Sequence, residues 1–294
     1  MNSQSLFKAY LQRKQFASTT IKTAQNVVGM YFEWLERENL NAEEITYNDL
    51  LIYIKDCNRK GAKKRTVQHY INSLKHYYDH LVEEGQIATN PAEEIIIKGV
   101  KRKVLYHIIE PQELHQLYNS YHDETLAGRR NKVMLGLLVY QGLKTEELRK
   151  LETKDIKLRE GKIEVPGGRK SNHRTMTLES HQILEIYDYT LQARAEILKE
   201  TGEETEKLFI TTTGKASTIS NLVNSFLRPL KAQNKTLLNA KQIRASVITK
   251  WLKQYNLREA QYLAGHRYIS TTESYQQNDV EGLKEEIDQF HPLG

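Results

Sequence analysis

Between Val67 and Leu81 the apolar residues return every three or four positions: Val67, Tyr70, Ile71, Leu74, Tyr78 and Leu81 fall on one helical face. A strand alternates its side chains between two faces and cannot bury such a stripe, so this segment must be a helix packed against others. Gly85 supplies its stop and Asn90-Pro91 closes the run. The residues before it repeat the pattern. SLFKAYLQRKQF is a short amphipathic segment; Ser18 is expected to cap a helix through about Arg37, with Val27, Tyr31, Trp34 and Leu35 inward; Asn48 is expected to cap a third, carrying Leu50, Leu51 and Ile54. Residues 1–90 therefore read as a four-helix module. Residues 91–104 read as an extended basic linker with strand-like alternation.

From 105 onward the pattern is mixed. Pro111 opens a helix to about His122, RRNKVMLGLLVYQG is an apolar helix ended by Gly142, and TEELRKL is a short helix with Thr145 as its expected cap. Strand-like runs follow: DIKLREGKIEVP, turning at Glu160-Gly161, then HRTMTL. Helices are expected at 179–200, 217–233, 239–255, 257–264 and 270–276, then a tail helix at about 278–290 with Val280, Leu283 and Ile287 on one face. The expected fold class is mainly α: a four-helix domain at 1–90, and at 105–294 a mostly helical domain carrying a small three-stranded antiparallel sheet.

Composition narrows the function classes. The single cysteine, Cys57, excludes an internal disulfide and a thiolate zinc site. The longest apolar run, VMLGLLVY at 133–140, is too short to span a bilayer, and the N-terminus lacks the apolar core of a signal peptide. With a mean hydropathy of -0.65, the expected setting is the cytoplasm. The net charge is +6, most of it in the first 104 residues. Arg59, Lys60, Lys63, Lys64 and Arg65 lie between the third and fourth helices. Cations at a helix N-terminus oppose its dipole, and a phosphate bound there would reverse the sign; a solvated loop is the plain alternative. His69, His76 and His80 share one face of the fourth helix. Without a cysteine or carboxylate among them, they read as a polar face turned to DNA or solvent rather than as a zinc site.

The sharpest signal is near the C-terminus. Leu263-Ala264-Gly265-His266 is followed by Thr272 and Tyr275, and Arg244 precedes them in KQIRASVITKWL. This ordered set resembles the tyrosine recombinases, the phage integrase and Xer-type family, whose box runs from an LGH through a threonine to the tyrosine. The resemblance implies cleavage and rejoining of duplex DNA through a 3′-phosphotyrosyl link made by Tyr275, with no metal or other cofactor. A phenol with a pKa near 10 is a poor nucleophile until the phosphate charge is neutralised, so such a site needs cations around the phosphate. Arg244 would be one clamp, its planar fork taking two phosphate oxygens, and His266 would bond the same phosphate or assist proton transfer.

Further boxes carry the resemblance across the chain. YQGLKTEELRKL, at 140–151, is similar to the family's GLR-x-x-EL, with Lys144 in the arginine slot. Lysine keeps the charge and loses the bidentate fork, which bears on rate. Arg149 is expected to face elsewhere. VPGGRKSNHRTMTL is similar to the hairpin whose lysine protonates the leaving 5′ oxygen; Lys170 fits that role, with Arg169 as the alternate. The family's HxxR box reads Lys241-Gln-Ile-Arg244, with Lys241 in the histidine slot. STTIKTAQNVVGMYFEWLERE and KKRTVQHYINSLKHYYDHLVEEGQIATNP resemble helices of the family's core-binding, SAM-like domain, so Lys63, Lys64, Arg65 and Thr66 are expected to face the DNA backbone. The implied partners are duplex DNA, further copies of the chain in a DNA-bound tetramer coupled through the tail helix, and an accessory DNA-bending or directionality protein; the implied location is the nucleoid. A tail packed on its own domain is the alternative. So, for function, is a DNA-binding protein with a recombinase fold and weakened catalysis, which Lys144 supports. A type IB topoisomerase shares the chemistry, and the clamp-like first module argues against it.

Overall fold

In the computed structural model, residues 3–100, 107–168, 171–215 and 219–276 are described. The chain forms two compact units, 1–104 and 105–294.

The first unit contains helices α1 (Ser3–Arg13), α2 (Ser18–Arg37), α3 (Tyr47–Arg59) and α4 (Lys64–Glu83). Its core is rich in aromatic residues. Tyr31 stacks on Trp34 and meets Tyr53 and Tyr78 edge-on, and the Tyr31 and Tyr78 hydroxyls bond each other at 2.6 Å. Each phenol thereby buries its ring and still satisfies its polar tip. Cys57 is also buried here, and burial raises its thiol pKa.

Four expectations for this unit need correction. Ser18 is the first helical residue of α2 rather than its cap; Ala17 takes the cap position with no side-chain bond. Asn48 does not cap α3. Thr46 does, because Thr46 and Asp49 answer each other: the Thr46 hydroxyl accepts from the Asp49 N–H and the Asp49 carboxylate accepts from the Thr46 N–H. The first part of 91–104 is a packed turn rather than an extended linker. Asn90 donates to the Lys75 carbonyl and accepts from the Ala92 N–H, which turns Ala92 and Ile95 into the core. The three histidines do not form one polar face either. His80 is buried against Phe7 and Tyr10, His76 packs on Phe16, and His69 is exposed. Burial lowers the His80 pKa.

The second unit runs α5 (Pro111–Asn119), α6 (Leu126–Val139), α7 (Thr145–Lys150), β1 (Ile156–Lys157), β2 (Lys162–Val165), β3 (Arg174–Thr177), α8 (Ser180–Asp188), α9 (Arg194–Thr201), α10 (Ile219–Gln233), α11 (Ala240–Gln254) and α12 (Leu257–Ala264). A last helix, α13, covers 269–276. The strands form one antiparallel sheet in the order β1-β2-β3, with Ile163 opposite Met176 and Val165 opposite Arg174. Alternation buries Ile163, Val165, Arg174 and Met176. The Glu160-Gly161 turn holds, with Gly161 in the left-handed region at φ +61°. Helix α6 is buried from Lys132 to Val139 and forms the centre of the core. Between α8 and α9 the helix continues through one wide π turn, Tyr189–Ala193.

Thr145 is not the cap of α7. Lys144 holds that position, and the Glu147 carboxylate accepts the Lys144 N–H at 2.9 Å. The expected tail helix at 278–290 and residues 101–104 lie outside the described residues. No helix among the described residues is long and apolar enough to cross a membrane. The molecule is thus mainly helical with a small three-stranded sheet.

Candidate active site

Helix α11 carries Arg244 inward. Asn239 starts the helix by accepting from the Lys241 and Gln242 N–H groups, and Ile243, Val247, Ile248 and Trp251 bury the flanks. The Arg244 guanidinium is enclosed. Its Nη1 donates to the Gly142 carbonyl, and its Nη2 donates to the Ala264 carbonyl at 2.5 Å and to His266 Nε2 at 3.2 Å. Those two carbonyls are the ends of two loops. Gly142 follows α6 with φ +55°, and Gly265 closes α12 with φ +62°. Both turn the chain in a way a side-chain-bearing residue rarely adopts.

His266 follows immediately and is 4% exposed. Its backbone N–H donates to the Gln261 carbonyl, and its own carbonyl accepts from the Gln261 side chain. Because an arginine only donates, His266 Nε2 accepts from Arg244, which leaves the proton on Nδ1 for the Thr272 hydroxyl at 3.0 Å. Burial, with Arg244, Lys144 and Arg174 nearby, pushes the His266 pKa down to about 3. The ring is neutral at physiological pH. Tyr275, on α13, stacks on it with ring centroids 5.7 Å apart and an interplanar angle of 16°. The Tyr275 hydroxyl also acts on Arg244: burial lowers the arginine's pKa, while Glu147 and then Tyr275 work against that.

Lys144 lies half-buried at the start of α7, in the same cluster. Burial and the Arg244 charge lower its pKa, while Glu147 opposes them. Arg149 turns away and pairs with Glu146 at the surface. Lys241 stands exposed on the first turn of α11, one turn before Arg244. Lys170 and Arg169 lie outside the described residues, although their neighbours are placed: Ser171 pairs with His266, and the Asn172 N–H donates to the Gly265 carbonyl at 3.0 Å. In the first unit, Lys63, Lys64 and Arg65 are exposed and Thr66 is half-buried at the start of α4. Among the described residues, no group of three or more His, Cys, Asp or Glu is placed to hold a metal ion.

Two members of the cluster were given no role from the sequence: Glu147, the glutamate of the GLR-x-x-EL box, and Arg174. Glu147 and Arg174 face each other, with Nη1 to Oε1 and Nη2 to Oε2 both at 3.0 Å, and both side chains are enclosed. Burial works against ionisation of Glu147, but the Arg174 pairing and the Arg244 charge outweigh it and hold its pKa below the usual value. The available signal was the strand alternation, which puts Arg174 on the same inward face as Met176. An arginine at such a position needs a buried partner.

With Glu147 ionised and His266 neutral, Arg174, Arg244 and Lys144 leave the site with an excess of two positive charges. Such a cluster of charge suits a phosphodiester, and the stacked rings of His266 and Tyr275 adjoin it.

Known proteins place this arrangement. The phage integrase family model matches residues 107–281, and the N-terminal SAM-like domain of phage integrases matches residues 5–85. The tyrosine recombinase XerC of Oceanobacillus iheyensis is 26% identical over 97% of this chain and 94% of that protein. XerC of Vibrio parahaemolyticus is 29% identical over 80% of this chain and 74% of its own. Among solved structures, XerH site-specific recombinase bound to palindromic difH substrate in a post-cleavage complex has a TM-score of 0.72 at 17% identity, covering 97% of this chain and 83% of that one. A lambda integrase dimer bound to a COC′ core site has a TM-score of 0.65 at 16% identity, covering 92% of each chain. The first unit matches the SAM-like domain, and the second, in which Arg244, His266 and Tyr275 come together, matches the integrase model: the chain belongs to the phage integrase family.

Proposed function

We propose that the protein is a site-specific DNA recombinase that cuts and rejoins duplex DNA through a 3′-phosphotyrosyl intermediate. The observation that supports this best is the stacked His266–Tyr275 pair beside a buried guanidinium, in a site with surplus positive charge. In the reaction, the Tyr275 oxygen forms a bond to the scissile phosphorus and the bond from phosphorus to the 5′ oxygen breaks. The leaving oxygen takes a proton, for which the hairpin lysine, Lys170, is the donor, and the phenol gives up its own. Arg244 and Lys144 neutralise the phosphate charge as it builds in the transition state. Neutral His266, whose Nε2 carries a lone pair, can accept the phenol's proton once Arg244 turns to the phosphate. Rejoining reverses each step, so no energy source is consumed and no metal ion has a role.

Lys63, Lys64, Arg65 and Thr66 grip the DNA backbone in this reading, which makes binding steeply salt-dependent. Lys241, exposed beside the site, makes a further phosphate contact. Strand exchange between two duplexes requires four copies of the chain on DNA, and an accessory DNA-bending or directionality protein fits the same scheme. The protein acts at the nucleoid. A DNA-binding protein with weakened catalysis rests on Lys144 alone and is not favoured.

Covalent trapping on nicked duplexes drawn from the DNA flanking the gene tests the reading. The wild-type chain should give a denaturation-resistant adduct that Tyr275→Phe abolishes. Lys144→Arg should form the adduct faster, by about tenfold or more, because it restores a bidentate contact. Sequence-specific binding with no adduct from any variant would turn the assignment to DNA binding.

A further inference from the structure

The Glu147 carboxylate is a hazard to the site it adjoins. A buried carboxylate must be paired, and two arginines are within reach of this one. Arg174 meets it in parallel bonds of 3.0 Å to both oxygens, while Arg244 Nη1 stays 3.8 Å from Oε2, beyond hydrogen-bond distance. Arg244 instead spends its donors on the Gly142 and Ala264 carbonyls and on His266. We propose that Arg174 is a positioning residue: by occupying both oxygens of Glu147 it keeps Arg244 available to the phosphate, and it anchors the hairpin end beside the His266 loop. This rests on the recombinase reading of the site.

Three observations carry the second half of the proposal. Gly265 is packed so closely on the Arg174 guanidinium that an added Cβ would collide with it, so the loop bearing His266 is seated on this side chain. The Asn172 N–H donates to the Gly265 carbonyl, and Ser171 pairs with His266. Arg174 itself begins β3, opposite Val165, so its position sets where 171 and 172 leave the sheet. Its Nε is buried without a partner among the described residues. Only the fork is used, and the fork is aimed at Glu147.

The role predicts a rescue that a merely structural arginine would not show. Single-turnover cleavage of a nicked duplex at saturating protein is read beside DNA affinity for Arg174→Met, Arg174→Lys, Glu147→Gln and the double variant Arg174→Met/Glu147→Gln. Arg174→Met frees Glu147 to capture Arg244, and cleavage should fall on the order of 100-fold with affinity nearly unchanged. Adding Glu147→Gln removes the captor, and part of the rate, on the order of tenfold, should return, the remaining loss being that of the anchor. Arg174→Lys keeps the charge but only one bond; it should fold and show a smaller loss, again relieved by Glu147→Gln. Wild-type cleavage by Arg174→Met would overturn the proposal. So would a double variant no faster than the single one. If Arg174→Met does not fold, a full rate in Arg174→Lys overturns it equally. Absence of an adduct from the wild-type chain would instead overturn the recombinase reading, and this inference with it.

Discussion

In the first unit the buried carboxylate of Asp56 is met by cations that stand in solvent: Arg37, Arg59 and Lys60 reach it at 2.6–3.0 Å from exposed positions. Lys60 foremost, then the two arginines, hold its pKa well below the usual range. In the second unit the carboxylate of Glu147 is met by an arginine as enclosed as itself. The first arrangement leaves positive charge at the surface, where salt screens it and a DNA backbone can reach it. The second holds charge in a medium of low dielectric, where each interaction counts for more and an unmatched charge is costly. Gripping DNA needs the former, and stabilising a transition state needs the latter.

The contrast breaks most sharply at Arg244. Arg244→Ala should lower cleavage on the order of 10³-fold while DNA affinity stays close to wild type, read by single-turnover adduct formation beside a binding titration. Replacing Lys63, Lys64 and Arg65 together by alanine should do the opposite. Affinity should fall and the slope of log affinity against log salt should flatten by about 2–3, with cleavage at saturating protein retained. A loss of cleavage at saturation would show that the surface cations also act in the chemistry.

The smallest expected effect concerns acid. His266 has a depressed pKa, so below the ordinary histidine value of about 6.5 the unfolded chain takes up a proton that the folded site refuses. Stability is lost as pH falls from there toward 3. Between pH 7 and pH 5 this amounts to about 1–2 kcal/mol, seen as a lower urea midpoint that His266→Asn makes less pH-dependent. His80 shifts in the same direction by burial in the first unit, so His80→Phe should flatten that unit's response and leave the other's.

The fold was legible where its signal is local. The stripe of α4, the Gly85 and Gly161 turns and the alternation of β2 and β3 are all written within a few residues, and they stand where expected. The errors arose where two local signals compete. Asn48 is a good cap by residue type, but the reciprocal bonds of Thr46 and Asp49 are worth more together and start the helix earlier. Asn90-Pro91 reads as the end of the first module, yet Asn90 folds the next residues back, and Ala92 and Ile95 complete that unit's core. At the site, Arg244, His266 and Tyr275 share short, ordered spacings around two helices. Glu147 fills the glutamate of the GLR-x-x-EL box, but no spacing links it to Arg174, which lies 27 residues further on and meets it only in the fold.

The seating of Cys57 gives the molecule a built-in clock. Its thiol is 6% exposed in the first unit and its pKa is raised, so a thiol reagent should react with it slowly in the folded chain and much faster when that unit opens. No other cysteine exists in the chain to answer the same reagent. The rate of labelling therefore times the opening of one half of the protein while the catalytic half stays silent. A cysteine introduced anywhere on the surface would react against an almost blank background.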